Sequence, residues 1–127
     1  MELKRILYVE DEPDIRAVTE LALVSLGGFE VAVCESGEEA LKRAVSFSPE
    51  LILLDVMMPH LDGPETLQAL RQLPGIAEVP VVFMTAKVQS SEVEAYKDLG
   101  AADVIAKPFD PMTLSDQVRE IWNRSQI

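Results

Sequence analysis

Short, strand-sized apolar runs alternate along the whole chain with segments of helical spacing, and this alternation restricts the fold more than any other feature. Ile6-Leu7-Tyr8-Val9 is followed by a helical pattern at Ile15, Val18, Ala22 and Leu26, which Gly27-Gly28 stops. Phe29, Val31 and Val33 read as a second strand, and Ser36 with Glu39 opens a capping box ahead of Leu41, Ala44 and Val45. The third run, Leu51 to Leu54, is apolar throughout, as expected when both faces of a sheet are covered. Asp62 and Pro64 start the next helix, with Leu67 and Leu70 inward and Leu73-Pro74-Gly75 as its end. A fourth strand follows Pro80. Ser91 with Glu94 predicts another capping box, and Gly100 closes that helix. Asp103 to Ala106 is a short fifth strand, and Asp110-Pro111 starts a last helix with Leu114, Val118 and Ile121 inside. Five strands alternating with five helices predict an α/β fold with a parallel sheet and right-handed crossovers.

The residues that end these runs carry the functional expectation. Ligands of an open parallel sheet bind at the carboxyl ends of its strands. Those ends deliver Glu10-Asp11, Asp55, Thr85 and Lys107-Pro108. Three carboxylates brought together repel one another unless a hard dication lies between them. Mg²⁺ prefers such oxygen ligands and is commonly held by one or two carboxylates with phosphate oxygens. Asp55 follows four apolar residues and is the nucleophile candidate, since a carboxylate can take a phosphoryl group as an acyl phosphate. The metal and Lys107 would neutralise the phosphoryl oxygens, and Thr85 could hydrogen-bond one of them. Lys107 precedes Pro108, and such a bond can be cis.

Composition narrows the partners. The chain has 127 residues, enough for one domain, with 48% hydrophobic and 26% charged residues. Its formal charge of −11 opposes direct contact with nucleic acid or anionic membranes. No apolar stretch is long enough to span a bilayer, and Met1 to Arg5 leads directly into a strand with no visible secretory signal. Cys34 is the single cysteine and is expected to be an inert core thiol, so the cytoplasm is the expected compartment. His60 reads as a solvent-facing loop residue and Trp122 as a cover on the core edge. Tyr96 stays open between an exposed contact and a packed ring.

The segments Ile6-Leu-Tyr-Val-Glu-Asp-Glu, Leu53-Leu-Asp-Val-Met-Met-Pro, Asp62-Gly63, Met84-Thr-Ala86 and Lys107-Pro-Phe109 together resemble the receiver domains of two-component response regulators, over nearly the whole chain. The resemblance implies a CheY-like, flavodoxin-like three-layer sandwich with strand order 2-1-3-4-5, and a single receiver domain over residues 1–127. It implies that Asp55 is the phosphoacceptor and that Glu10 and Asp11 serve Mg²⁺, Asp11 directly and Glu10 mainly through water. The Met57 backbone carbonyl would be a further metal ligand. Thr85 would swing toward the phosphoryl group and Lys107 would pair with it. Phosphate would arrive from a phosphohistidine on a histidine kinase or histidine phosphotransfer protein, and a downstream protein would read the result. The module would assist its own modification without being a turnover enzyme.

One position departs from that pattern. Val104 stands where the family often has Tyr or Phe, so a different output movement is expected. Two enzymatic or carrier readings compete less well. A phosphohydrolase working through an aspartyl phosphate usually has a second carboxylate two residues on, where this chain has Met57. A flavin carrier needs a phosphate loop where this chain has Glu10-Asp11-Glu12.

Overall fold

The strands come first in the logic of the fold. A computed structural model describes residues 2–126; Met1 and Ile127 lie outside the described residues. Its elements run β1 (Arg5–Val9), α1 (Pro13–Leu21), β2 (Glu30–Cys34), α2 (Gly37–Phe47), β3 (Leu51–Asp55), α3 (Gly63–Leu70), β4 (Val81–Thr85), α4 (Ser90–Asp98), β5 (Asp103–Ala106) and α5 (Leu114–Ser125). All strand pairs are parallel, in the order β2-β1-β3-β4-β5. Every residue of β3 and β4 is buried, which is why both read as unbroken apolar runs.

Each face of the sheet carries its own core. On one side Leu7, Val9, Ile52, Leu54 and Phe83 pack against Ala40 and Ala44 of α2 and Leu67 and Leu70 of α3. Tyr96 joins that side from α4, half-buried, with its ring edge-on to Phe83 at 5.3 Å and 85°. On the other side Ile6, Tyr8, Leu51, Leu53, Val82 and Met84 pack against Leu23, Leu114, Val118, Ile121 and Trp122. Trp122 is thus a core residue, and Cys34 is buried, its thiol pushed up to about 11 by desolvation. His60 is exposed in the loop after β3. No helix among the described residues is long and apolar enough to cross a membrane.

Helix starts follow local hydrogen bonds. Asp62 accepts from the Glu65 amide at 2.9 Å and Glu65 accepts from the Asp62 amide at 3.1 Å, a complete capping box on α3. Ser36 caps α2 by accepting from the Glu39 amide at 3.1 Å, while the Glu39 carboxylate turns to the Glu35 amide.

Four expectations need correction. The buried stripe of the first helix is Thr19, Ala22 and Leu23; Val18 is 46% and Leu26 55% exposed. Thr19 is tolerated inside because its hydroxyl donates to the Ile15 carbonyl at 2.8 Å. The helix then continues as a π-helical turn, Ala22–Leu26, which shifts the phase of the apolar pattern. Ile15 and Val18 instead wall an apolar groove with Pro108 and Phe109. Second, α4 begins at Ser90, with Glu92 accepting from the Gln89 amide, rather than at a Ser91–Glu94 box. Third, Asp110 does not open α5 directly: its carboxylate accepts from Met112 and its carbonyl from Thr113 and Leu114, so a turn precedes the helix. Val45 is likewise 45% exposed, the stripe of α2 being Ala40 and Ala44 with Leu41 half-buried.

Candidate functional site

Parallel pairing aligns the carboxyl ends of β1, β3, β4 and β5 on one edge, and the expected site residues meet there. Val9 pairs with Leu54, Asp55 with Met84, and Thr85 with Ala106, so the residues ending these strands fall side by side. Backbone bonds continue past the strands: the Val56 amide donates to the Met84 carbonyl at 3.2 Å and the Lys107 amide to the Thr85 carbonyl at 2.9 Å. Glu10, Asp11, Glu12, Asp55, Met57, Thr85, Ala86 and Lys107 line a single cleft of about 190 Å³.

Lys107 organises the charges in that cleft. Its ammonium donates to Glu10 Oε1 and to Asp55 Oδ1, both at 3.0 Å. The Lys107–Pro108 peptide bond is cis. Glu10 is fully buried and Asp55 is 3% exposed. Glu10 also accepts from the Tyr8 hydroxyl at 3.4 Å and, through Oε2, from the Glu12 amide at 3.3 Å. One carboxylate oxygen each of Glu10, Asp11 and Asp55 lies within 4.8 Å of the others.

The electrostatics follow from two buried carboxylates sharing one ammonium. Desolvation raises the pKa of Glu10, opposed by Lys107 and reinforced by the Asp55 charge. Desolvation also raises Asp55, again opposed by Lys107, with Asp11 adding to the rise. For Lys107 burial acts downward, but the bonds and charges of Glu10 and Asp55 prevail and raise it. Negative charge is therefore in excess, on oxygen donors only, in a cleft open to solvent. Such a donor set suits a hard dication.

Two residues behave differently from their neighbours. The Thr85 hydroxyl lines the cleft yet accepts from the Lys87 amide at 3.1 Å, so it is held by its own loop. Val104, at the position of the family's aromatic residue, is half-buried against the core on the α2–α4 side. Tyr8 had no functional role in the sequence reading. The available signal is a phenol within the apolar run Ile6 to Val9, two residues before a buried acid on the same side.

Comparisons with known proteins agree with this geometry. The response regulator receiver domain family matches residues 6–119. The alkaline phosphatase synthesis transcriptional regulatory protein PhoP of Bacillus subtilis is 40% identical over 124 residues, covering 98% of this chain and 50% of that protein. The DNA-binding response regulator MtrA of Mycolicibacterium smegmatis is 36% identical, covering 97% of this chain and 52% of its own length. The chain thus spans about half the length of the curated relatives it matches. Among solved structures, the chemotaxis protein CheY4 of Vibrio cholerae superposes with a TM-score of 0.85 at 28% identity, covering 94% of this chain and 98% of that one. A response regulator from Desulfuromonas acetoxidans gives 0.83 at 28% identity, with 95% and 98% covered. With the sheet order, the acidic cleft and these matches in agreement, the chain belongs to the family of response regulator receiver domains of two-component systems.

Proposed function

We propose that the chain is a single receiver unit in which Asp55 accepts a phosphoryl group and thereby switches contacts with other proteins. The observation that carries this reading is Lys107 bonded at 3.0 Å to both Glu10 and Asp55 at the end of the central strand. An Asp55 oxygen attacks phosphorus, the bond to the donor breaks, and the leaving group departs with its electron pair. With a phosphohistidine on a histidine kinase or phosphotransfer protein as donor, that leaving group is an imidazole. Lys107 is placed to follow the charge from the Asp55 carboxylate onto a phosphoryl oxygen.

Asp11, Asp55 and the Met57 carbonyl would hold Mg²⁺ directly and Glu10 mainly through water, and the ion when bound supplies the positive charge that phosphoryl transfer requires. Thr85 would donate its hydroxyl proton to a phosphoryl oxygen, and its turning toward that oxygen would draw on the bond it accepts from the Lys87 amide and so alter the β4–α4 loop. The module promotes its own modification and has no external metabolite to turn over. Its readers are proteins, in the cytoplasm, and its net charge opposes direct contact of this unit with DNA or membrane.

Incubating the protein with acetyl phosphate and Mg²⁺ and weighing it intact tests this. A single phosphoryl addition is expected, absent in Asp55→Asn and absent with chelator. Addition that persists in Asp55→Asn would refute the assignment.

A further inference from the structure

Tyr8 is fully buried in β1, among Ile6, Leu23 and Val118 on the α1–α5 side of the sheet. A phenylalanine would fill the same volume without burying a hydroxyl, whose desolvation is costly unless it is bonded. The phenol meets two polar groups: the Thr19 hydroxyl lies within hydrogen-bond reach, and Glu10 Oε1 accepts from the phenol at 3.4 Å. Residues two apart on a strand share a face, so the pairing is built into β1. The same Oε1 receives Lys107 at 3.0 Å, while Oε2 receives the Glu12 amide at 3.3 Å. Every oxygen of this buried carboxylate is thus engaged by the protein. Asp11 shows no comparable anchoring: it is half-buried and lines the open cleft.

We infer that Tyr8 is a positioning residue for the acidic cleft: its hydroxyl clamps the Glu10 carboxylate on the Lys107 side, leaving Asp11 and Asp55 to contact a divalent cation directly. Glu10 then acts on the cation by its charge at a fixed place. The extra methylene of glutamate, relative to aspartate, gives the side chain both the reach to meet the phenol and the freedom that needs restraining. The inference rests on the reading of the cleft as a cation-assisted phosphoacceptor site.

Calorimetric Mg²⁺ affinity tests it in the intact chain, for wild type, Tyr8→Phe, Glu10→Asp and the double variant. Outer hydrogen bonds to metal-site residues typically govern metal affinity by one to two orders of magnitude, and the 3.4 Å length places this one at the weak end. Tyr8→Phe should remain folded and lose about fivefold to tenfold in Mg²⁺ affinity. In Glu10→Asp, whose shorter carboxylate falls away from the phenol, adding Tyr8→Phe should change affinity by less than about twofold. The thermal midpoints of the metal-free proteins should show the same non-additivity. Unchanged affinity in Tyr8→Phe, or an equal loss in both backgrounds, would mean that the ring only fills the core, and overturns the inference. Wild type failing to bind Mg²⁺ at all overturns the cleft reading itself, whereas wild-type binding with additive variants overturns only the role of Tyr8.

Discussion

Replacing Lys107 by Met is expected to destabilise the metal-free protein by about 3 kcal/mol at neutral pH, lowering its thermal midpoint by roughly 10 °C. The substitution keeps side-chain bulk and removes the one cation that, among the described residues, bonds the Glu10 and Asp55 carboxylates, leaving both buried groups without it. Breaking a buried pair from one side costs about 3–5 kcal/mol, and the 17% exposure of the Lys107 side chain sets the lower end. The penalty depends on pH with a definite sign. Glu10 and Asp55 have folded pKa values raised above their ordinary ones, so their ionisation opposes folding as pH rises from the ordinary carboxylate range through those raised values. Lys107 is also raised, so its contribution is complete below the ordinary lysine range and is lost only as pH rises through its folded value. Without the ammonium the two carboxyls rise further and hold protons longer. Urea titrations should therefore show a small penalty near about pH 5 and the full one near about pH 8. Mg²⁺ should recover more stability in the variant than it adds to wild type, because it substitutes for the missing charge. A loss independent of both pH and Mg²⁺ would show that packing, and not charge compensation, is what Lys107 provides.

The fold and the cleft were legible in the sequence for one reason: the informative residues terminate strands that are apolar on both faces. Leu51 to Leu54 and Val81 to Met84 are strand-length apolar runs of the kind a covered sheet requires, and parallel pairing then puts Asp55 and Thr85 at one edge. Lys107 reaches that edge because the Thr85 carbonyl holds its amide. What the pattern hid depended on partners outside the local run. Thr19 counts as polar in any helical pattern, yet it lies inside because Ile15 satisfies its hydroxyl. Leu26 is turned outward because a π-helical turn adds a residue to the period, whereas Val18 precedes that turn and lines the groove with Ile15. Glu92 rather than Glu94 caps α4, a choice between acids two positions apart that spacing does not decide. The Tyr8–Glu10 bond was invisible for a related reason. It is a matter of rotamers on one strand, where the sequence displays only an apolar run followed by acids.

Gly63→Ala is the second substitution expected to have a large effect, and here space rather than charge decides. Gly63 is buried at the first turn of α3, and its amide donates to the Val56 carbonyl at 2.9 Å. A Cβ at this position would lie 2.7 Å from the Asp55 carbonyl oxygen and 2.7 Å from the Val56 Cα. Both atoms are backbone, so no side chain can swing aside; α3 or the end of β3 must move. Overpacking of this kind costs about 2–3 kcal/mol, more than the helix preference of alanine can return. The displaced residue is Asp55 itself, so function should suffer beyond stability. Its carboxylate would leave the position fixed by the 3.0 Å bond to Lys107, and misplacing a reacting group by about 1 Å can slow a reaction about a hundredfold. Acetyl phosphate labelling with Mg²⁺, at a temperature where the variant is folded, should be slower by about tenfold or more. Gly75→Ala supplies the contrast. Gly75 has φ +79 and nothing within 4 Å of an added Cβ, so alanine there carries only a conformational cost of about 1 kcal/mol. Its labelling rate should match wild type. If Gly63→Ala were as stable and as quickly labelled as the native chain, the close approach of α3 to the strand end would not be what holds Asp55 in place.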